Sequence, residues 1–519
     1  MGGQEPPAGG RRYPSARSYS EDVDESPAAH RELSAHVAPL LELAAARFDD
    51  PHIQAALSAV NERLDGPLRI AIAGKVKAGK STLLNALVGE ELAPTDAGEC
   101  TQVVTWYRDG LSYRVEMEDD DGLMSPLPFT RKDHQALHIE LPAGQRLPRS
   151  LRVTWPSQAL RKVTLIDTPG ISSAGSEGGL RTNDFLNPTH ELPTQADAVI
   201  YLMNHVHGDD VRFLEAFHDQ QVSQATPSTT VGILSRADEI GGGRQDALAA
   251  ADRVAARYRA DPRVRSLCHT VVPVAGLLAQ SSTNLRQRDY DTIARLAAHS
   301  GEAVQDALLS ADRLRAAHQL GLTAQEREQI LERFGMFGVR IGTQLIRRGQ
   351  VRDAGQLARE LRRQSGVDDL VALVENHFVG RAPLLRARSA VVLLEALIAS
   401  QPGSTTRPIA LGLDQLYAKA HPLAELRALT ALRDPKLALD LEERTEAERI
   451  CGAYGFTALA RMGLDADLDS ADIAPLLVAT INRWRRKAEH PLSPVDVRAV
   501  SHVVIRSCEE LVRDLPASD

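Results

Sequence analysis

The apolar run LRIAIAG, Leu68–Gly74, passes directly into the glycine-rich segment GKVKAGKST, Gly74–Thr82, and then into STLLNALVG, which has the spacing of a helix. The residues Gly74, Lys75, Val76, Lys77, Ala78, Gly79, Lys80 and Ser81 satisfy G-x-x-x-x-G-K-[ST] in full. No other feature constrains the fold as much, because such a loop works only where a buried strand ends and a helix begins. Its glycines let the backbone curl so that N–H groups point inward at a phosphate, assisted by the helix N-terminus. The Lys80 ammonium is expected to reach the β- and γ-phosphates and the Ser81 hydroxyl to ligate Mg²⁺, with Thr82 among the nucleotide-binding residues.

Short apolar runs follow, among them QVVTWYR, YRVEME, KVTLIDTPG, ADAVIYLM, TTVGILSRAD and HTVVPVAG. They alternate with helical stretches such as DDVRFLEAFHDQ and RQDALAAADRVAARY, which predicts an α/β domain with a largely parallel sheet. After about residue 285 the strand signals stop and helices take over. Before the sheet, Asp50 and Pro51 open a predicted helix with Ile53, Leu57, Val60 and Leu64 at helical spacing. Pro39 should kink or restart the periodic segment ahead of it. Thr323 with Glu326, and Ser493 with Asp496, read as capping boxes. Val497, Val500, Val504, Cys508, Leu511 and Leu515 share one face of a last helix packed in a bundle. The expected division is a disordered tail over 1–29, N-terminal helices joining the bundle over 30–65, a nucleotide domain over 66–285 and a helical bundle over 286–519.

Composition narrows the class. The 519 residues are 43% hydrophobic, which suits a globular chain with a sizeable core, and the net charge of −9 argues against a dedicated nucleic-acid binder. Four cysteines, Cys100, Cys268, Cys451 and Cys508, stand far apart with no C-x-x-C pair, as in a reducing cytoplasm. The start has no apolar signal segment, and SAVVLLEALIAS, 389–400, is too short to span a bilayer and contains Glu395. A cytoplasmic location is expected, and any membrane contact must be peripheral.

Three further motifs specify the nucleotide. LIDTPG ends a buried strand in D-x-x-G, so Asp167 should hold the magnesium, mostly through water, and the Gly170 amide should sense the γ-phosphate. SRAD, Ser235, Arg236, Ala237 and Asp238, is a variant of the [NT]-K-x-D guanine signature. The Asp238 carboxylate can accept two N–H donors that guanine has and adenine lacks, and the Arg236 stem can lie over the base. Thr101 in GECTQVV is the expected switch threonine on Mg²⁺, with Thr95 as the alternative, and the fifth, base-contacting motif falls near Val274 and Ala275. GTP is the expected substrate.

In this order, with a helical arm before and a long helical part after, GKVKAGKSTLLNAL, ECTQVV, DTPG and SRAD resemble a bacterial dynamin-like GTPase, and more narrowly the actinobacterial isoniazid-inducible branch. The resemblance implies a P-loop GTPase head on an extended all-α neck and stalk. It also implies nucleotide-controlled assembly, as a homo-oligomer or with a second dynamin-like protein, coupled to membrane remodelling, tethering or fission. A regulatory switch GTPase, and a GTP-binding scaffold with little hydrolysis, are the rival readings.

Ras-like enzymes orient the attacking water with a glutamine just after D-x-x-G. Here ISSAGSEGG follows Gly170, so that glutamine is missing. Dynamins as a family place a glutamine and a serine in the phosphate loop, where this chain has Val76 and Lys77. Related guanylate-binding proteins carry an arginine where Lys77 stands. Lys77 is therefore a candidate cis charge for the breaking β–γ bond, and the alternative is that Lys75 and Lys77 are merely solvated or face an assembly partner. Weaker signals carry two readings each. NHVHGDD is a loop beside the nucleotide or a second metal site. Trp484 is core or a membrane-surface anchor. RFGMFGVRIG, 333–342, is a hinge or packed turn, or a lipid-inserting tip.

Overall fold

The computed structural model describes residues 27–94, 103–119, 121–131, 137–139, 147–170, 196–203, 227–299, 301–455, 457–464 and 470–514. Thr95, Thr101, the NHVHGDD segment and Leu515 lie outside these residues.

The strands are β1 (Leu68–Gly74), β2 (Val104–Arg108), β3 (Arg114–Glu118), β4 (Met124–Pro126), β5 (Phe129–Thr130), β6 (His138–Ile139), β7 (Ser150–Thr154), β8 (Val163–Asp167), β9 (Ala198–Met203), β10 (Thr230–Ser235) and β11 (Val271–Val274). Nine of them form one sheet in the order β11-β10-β9-β1-β8-β2-β7-β3-β4, while β5 and β6 pair apart. From β11 to β8 every pairing is parallel, with Ile70 opposite both Leu165 and Ala198. Beyond β8 the sheet turns mixed: β2 runs antiparallel to β8, and β3 antiparallel to β7 and β4. The fold is a mostly parallel α/β sheet followed by a helical region.

Alternation along β1 explains why the sheet is covered on both sides. Leu68, Ile70 and Ile72 join one buried cluster, and Ala71 and Ala73 join another. The first cluster takes in α1 (Pro27–Ala45), α2 (Pro51–Arg63) and α3 (Lys80–Val88), together with the later helices from Ala382 onward. The second takes in α4 (Ala247–Ala260), α5 (Gly276–Thr283), α6 (Gln287–Ala298), α7 (Ala324–Arg347) and α8 (Ala354–Gln364). Residues beyond 285 thus cover a face of the sheet itself.

Asp50 caps α2 through bonds from the His52 and Ile53 amides, with Pro51 at the first helical position. The Thr323–Glu326 capping box forms in both directions. Two local expectations are corrected. α1 does not restart at Pro39 but runs through it as one span, because the buried stripe of Leu33, Val37, Leu41 and Ala44 offsets the one backbone bond that proline removes. The box at Ser493 does not form: its hydroxyl donates back to the Lys487 carbonyl at 2.6 Å, and Asp496 accepts from the adjacent Val497 amide at 2.9 Å. Trp484 is core, 2% exposed, with its indole N–H on Glu446 at 2.9 Å. Phe334 and Phe337 are buried around a break in α7 at Gly335, so RFGMFG is a packed turn. Cys268, Cys451 and Cys508 are buried free thiols. Among the described residues, no helix is long and apolar enough to cross a membrane.

At the N-terminal ends of β1 and β9 the buried Asp197 carboxylate gathers three elements. It pairs with Arg63 of α2 and accepts from the Arg69 amide at 2.9 Å. It also accepts from the Ser389 hydroxyl of α9 (Ala382–Ser400) at 3.3 Å. Asp197→Ala leaves these donors buried without their acceptor and should cost about 3–5 kcal/mol in urea unfolding. A loss below about 1 kcal/mol contradicts this role.

Candidate nucleotide site

The loop leaves β1 at Gly74, whose φ of 151° and close approach to β9 leave no room for a side chain: a Cβ there would stand 2.7 Å from the Leu202 carbonyl oxygen. It re-enters a helix at Gly79, left-handed at φ 93°, just before Lys80 opens α3. The Lys80 side chain is buried and folds back over the loop, its ammonium 3.3 Å from the carbonyls of Gly74 and Lys75. Burial pulls this ammonium below its usual range, and the Asp167 carboxylate pulls the other way.

Asp167 ends β8 beside the loop. Its Oδ2 accepts from the Ser81 hydroxyl at 2.9 Å, while its Oδ1 is buried with no hydrogen-bond partner. Burial pushes the carboxyl up to about 6, against the pull of Lys80 and Ser81. A hydroxyl and an orphaned carboxylate oxygen are the hard oxygen donors that Mg²⁺ prefers, so the residues present fit that ion. Thr168 pins the chain just beyond β8: its hydroxyl and amide both donate to the Ile72 carbonyl, at 2.9 and 3.3 Å. Gly170 then lies against the phosphate loop, where a Cβ would stand 2.7 Å from the Cα of Val76.

The base motif sits at the end of β10. Ser235 is buried, with its hydroxyl on the Met203 carbonyl at 3.1 Å. Asp238 is buried, and burial pushes its carboxyl up to about 6. Arg236 is half exposed, donates to the Lys77 carbonyl at 2.9 Å and pairs with Glu239 at 3.2 Å. It thus straps the base motif to the phosphate loop through its tip. Lys77 (φ 62°) and Arg236 (φ 52°) are the two non-glycine residues with positive φ among the described residues, and they are bonded to each other. Strain of this kind concentrates at functional sites. The side chains of Val76 and Lys77 are exposed, Ala78 is buried, and Lys75, Ser81 and Thr82 are half-buried. Val274 pairs with Ser235 across β10 and β11, which brings Val274 and Ala275 beside the base motif.

The structure therefore brings together every described residue assigned to the site from sequence. It adds two that sequence reasoning passed over. Thr168 is one, visible only as an unassigned position inside D-x-x-G. Asn85 is the other: fully buried, it binds the amides of Leu92 and Ala93 at 2.9 and 2.8 Å and the Ala93 carbonyl at 2.9 Å. The signal was a polar residue in the apolar run STLLNALVG.

A phosphate loop, a hydroxyl–carboxylate pair and a base motif, all at the C-terminal ends of parallel strands of one sheet, define a P-loop nucleotide-hydrolase site. The Dynamin family profile matches residues 70–237. Isoniazid-induced protein IniC of Mycobacterium tuberculosis is 37% identical over 462 residues, spanning 89% of this chain and 93% of that protein. Bacterial dynamin-like protein of Nostoc punctiforme is 31% identical over 139 residues, 24% of this chain and 20% of that protein. A solved oligomerised bacterial dynamin pair covers 94% of this chain and 75% of its own at 14% identity, with a TM-score of 0.28, too loose a fit to carry an argument. The chain belongs to the dynamin family and is a GTPase.

Only the ionised Asp238 carboxylate can accept two guanine N–H groups, and burial sets its titration near 6. GDP affinity, measured in EDTA so that metal at Asp167 plays no part, should be full above that value and fall about tenfold per pH unit below it. IDP, with one N–H fewer for the carboxylate, should fall less steeply. A flat GDP profile through this range contradicts the assignment.

Proposed function

We propose that this GTPase converts GTP and water to GDP and phosphate with Mg²⁺ held at Ser81 and Asp167, and couples the cycle to assembly on a membrane. The observation that carries the reading is the orphaned Asp167 Oδ1 beside the Ser81 hydroxyl and the Lys80 ammonium. Backbone N–H groups from Gly74 to Thr82 cradle the phosphates, and Lys80 neutralises the β- and γ-oxygens. Mg²⁺ held by Ser81 and Asp167 would supply positive charge against the negative charge that develops during transfer. Thr101 would be a further oxygen ligand of the magnesium, and the Gly170 amide would meet the γ-phosphate. Ser235, Arg236 and Asp238 read guanine.

Lys77 takes the role of a cis cation. Its carbonyl is held by Arg236, its backbone is left-handed, and its side chain is free to swing from the exposed crest of the loop. A positive charge there stabilises the charge moving onto the leaving β-phosphate. An arginine finger contributes about 10³–10⁵ in rate, and a lysine, with no planar fork, contributes less. Lys77→Ala should lower kcat by about 10²-fold with GTP affinity retained, and turnover should not depend on potassium. Unchanged turnover in this variant overturns the role.

Membership of the dynamin family supports assembly and membrane work. Lipid contact in this reading is peripheral, through exposed surface or a second dynamin-like protein, and the assembly is a homo- or hetero-oligomer. In this reading the head spans 66–285 and the helical part 286–519, with the 30–65 helices joining that part and its first helices, α6, α7 and α8, packed on the head's sheet. GTP turnover per molecule should rise with protein concentration and again with anionic liposomes, and the chain should sediment with them in the GTP-bound state. Turnover indifferent to both points to a switch GTPase, and GTP that stays intact points to a scaffold.

A further inference from the structure

Helix α7 is broken at Gly335, whose φ of 61° and ψ of 176° are a conformation that side chains rarely tolerate. The break lies against the base motif: a Cβ on Gly335 would stand 3.9 Å from Asp238 Oδ2 and 3.5 Å from Leu277 Cδ2. It is held open from both sides. The Ser281 hydroxyl of α5 donates to the Arg333 carbonyl, and the Arg333 guanidinium donates to the Asn284 carbonyl and side-chain oxygens at 2.9 and 2.8 Å and pairs with Asp289 at 3.2 Å. Gly338 packs so closely that a Cβ would lie 3.0 Å from Leu278 Cδ1.

Further along α7, Arg340 reaches the segment that follows Asp238. That segment contains Gly241, Gly242 and Gly243, all left-handed, so it has little conformational preference of its own. The Arg340 guanidinium binds the carbonyls of Gly242, at 3.3 Å, and Gly243, while its other nitrogens bind those of Leu308 and Leu309 at 2.7 and 2.9 Å. One planar fork thus ties the glycine loop to a rigid helical frame.

We infer that broken helix α7 is the platform that orients the base-reading carboxylate, with Arg340 as a positioning residue for the Asp238–Gly243 loop and Gly335 as the point where the helix meets Asp238. The inference rests on the proposed reading of guanine by Asp238. Both residues lie beside the base motif and outside the phosphate loop of residues 74–82, so both act on base selection and not on the grip of the phosphates.

The test is the ratio of GDP to IDP affinity in the full chain, since IDP lacks the exocyclic amine. The unaltered chain should prefer GDP at least about tenfold. Arg340→Ala and Gly335→Ala should each bring the ratio below about threefold while IDP affinity stays within about threefold of the original. Arg340→Lys keeps the stem and charge without the fork, should give an intermediate ratio, and replaces Arg340→Ala if that variant does not fold. A ratio kept in folded Arg340 and Gly335 variants overturns the inference. Asp238→Asn tests the underlying reading separately: it should abolish the preference and gain affinity for XDP. If it does so while the α7 variants keep their ratio, only the platform fails; if it does not, guanine reading by Asp238 fails.

Discussion

The hydrogen bond from the Ser81 hydroxyl to Asp167 joins residues 86 positions apart, and it exists because β1 and β8 are parallel neighbours in register. Parallel pairing brings the C-terminal ends of both strands to one edge, so the loop leaving β1 and the carboxylate ending β8 meet there. Thr168, bonded twice to the Ile72 carbonyl, holds that register at its last step. Loss of alignment between these two strands separates the hydroxyl, the carboxylate and the Lys80 ammonium, and with them the donor set suited to a magnesium-bound triphosphate.

The opposite edge of the same strands meets the helical part of the chain. Asp197 ties the N-terminal ends of β1 and β9 to α2 and α9. At the neighbouring strands, Arg433 binds the carbonyls of Cys268 and His269 at 2.7 and 3.0 Å, and the His377 ring contacts the Ser228 carbonyl oxygen at 2.8 Å. These are buried polar contacts, costly to break one partner at a time. Nucleotide chemistry sits at the C-terminal ends of the strands with α7 packed beside the base motif, while α9 and the later helices are tied to the N-terminal ends, so helices contact the shared sheet at both ends.

Much of this was legible in the amino-acid order, because a phosphate loop is a local device: glycines, a lysine and a hydroxyl at fixed spacing act through their own backbone. The central strands β1, β8, β9 and β10 were legible for a similar reason, their apolar runs being buried on both faces. Pro39 misled because the burial of Leu33, Val37, Leu41 and Ala44 outweighs one missing bond. Ser493 misled because its hydroxyl found a carbonyl six residues back. Arg340 carried no sequence signal: an arginine that binds backbone carbonyls looks like any surface arginine until tertiary structure brings the glycine loop to it. Arg236, read from the sequence as a stem over the base, binds the Lys77 carbonyl, a contact across 159 residues that no local pattern encodes.

The central claim, one magnesium-assisted guanine site built around residues 74–82, is tested most directly by calorimetry of the full chain with a non-hydrolysable GTP analogue and its adenine counterpart, each with and without Mg²⁺. One guanine nucleotide per chain, bound more tightly with Mg²⁺ and roughly 10²-fold or more in preference to adenine, is the expected result. Folded protein that takes up no guanine nucleotide, or takes up both bases equally, contradicts the account.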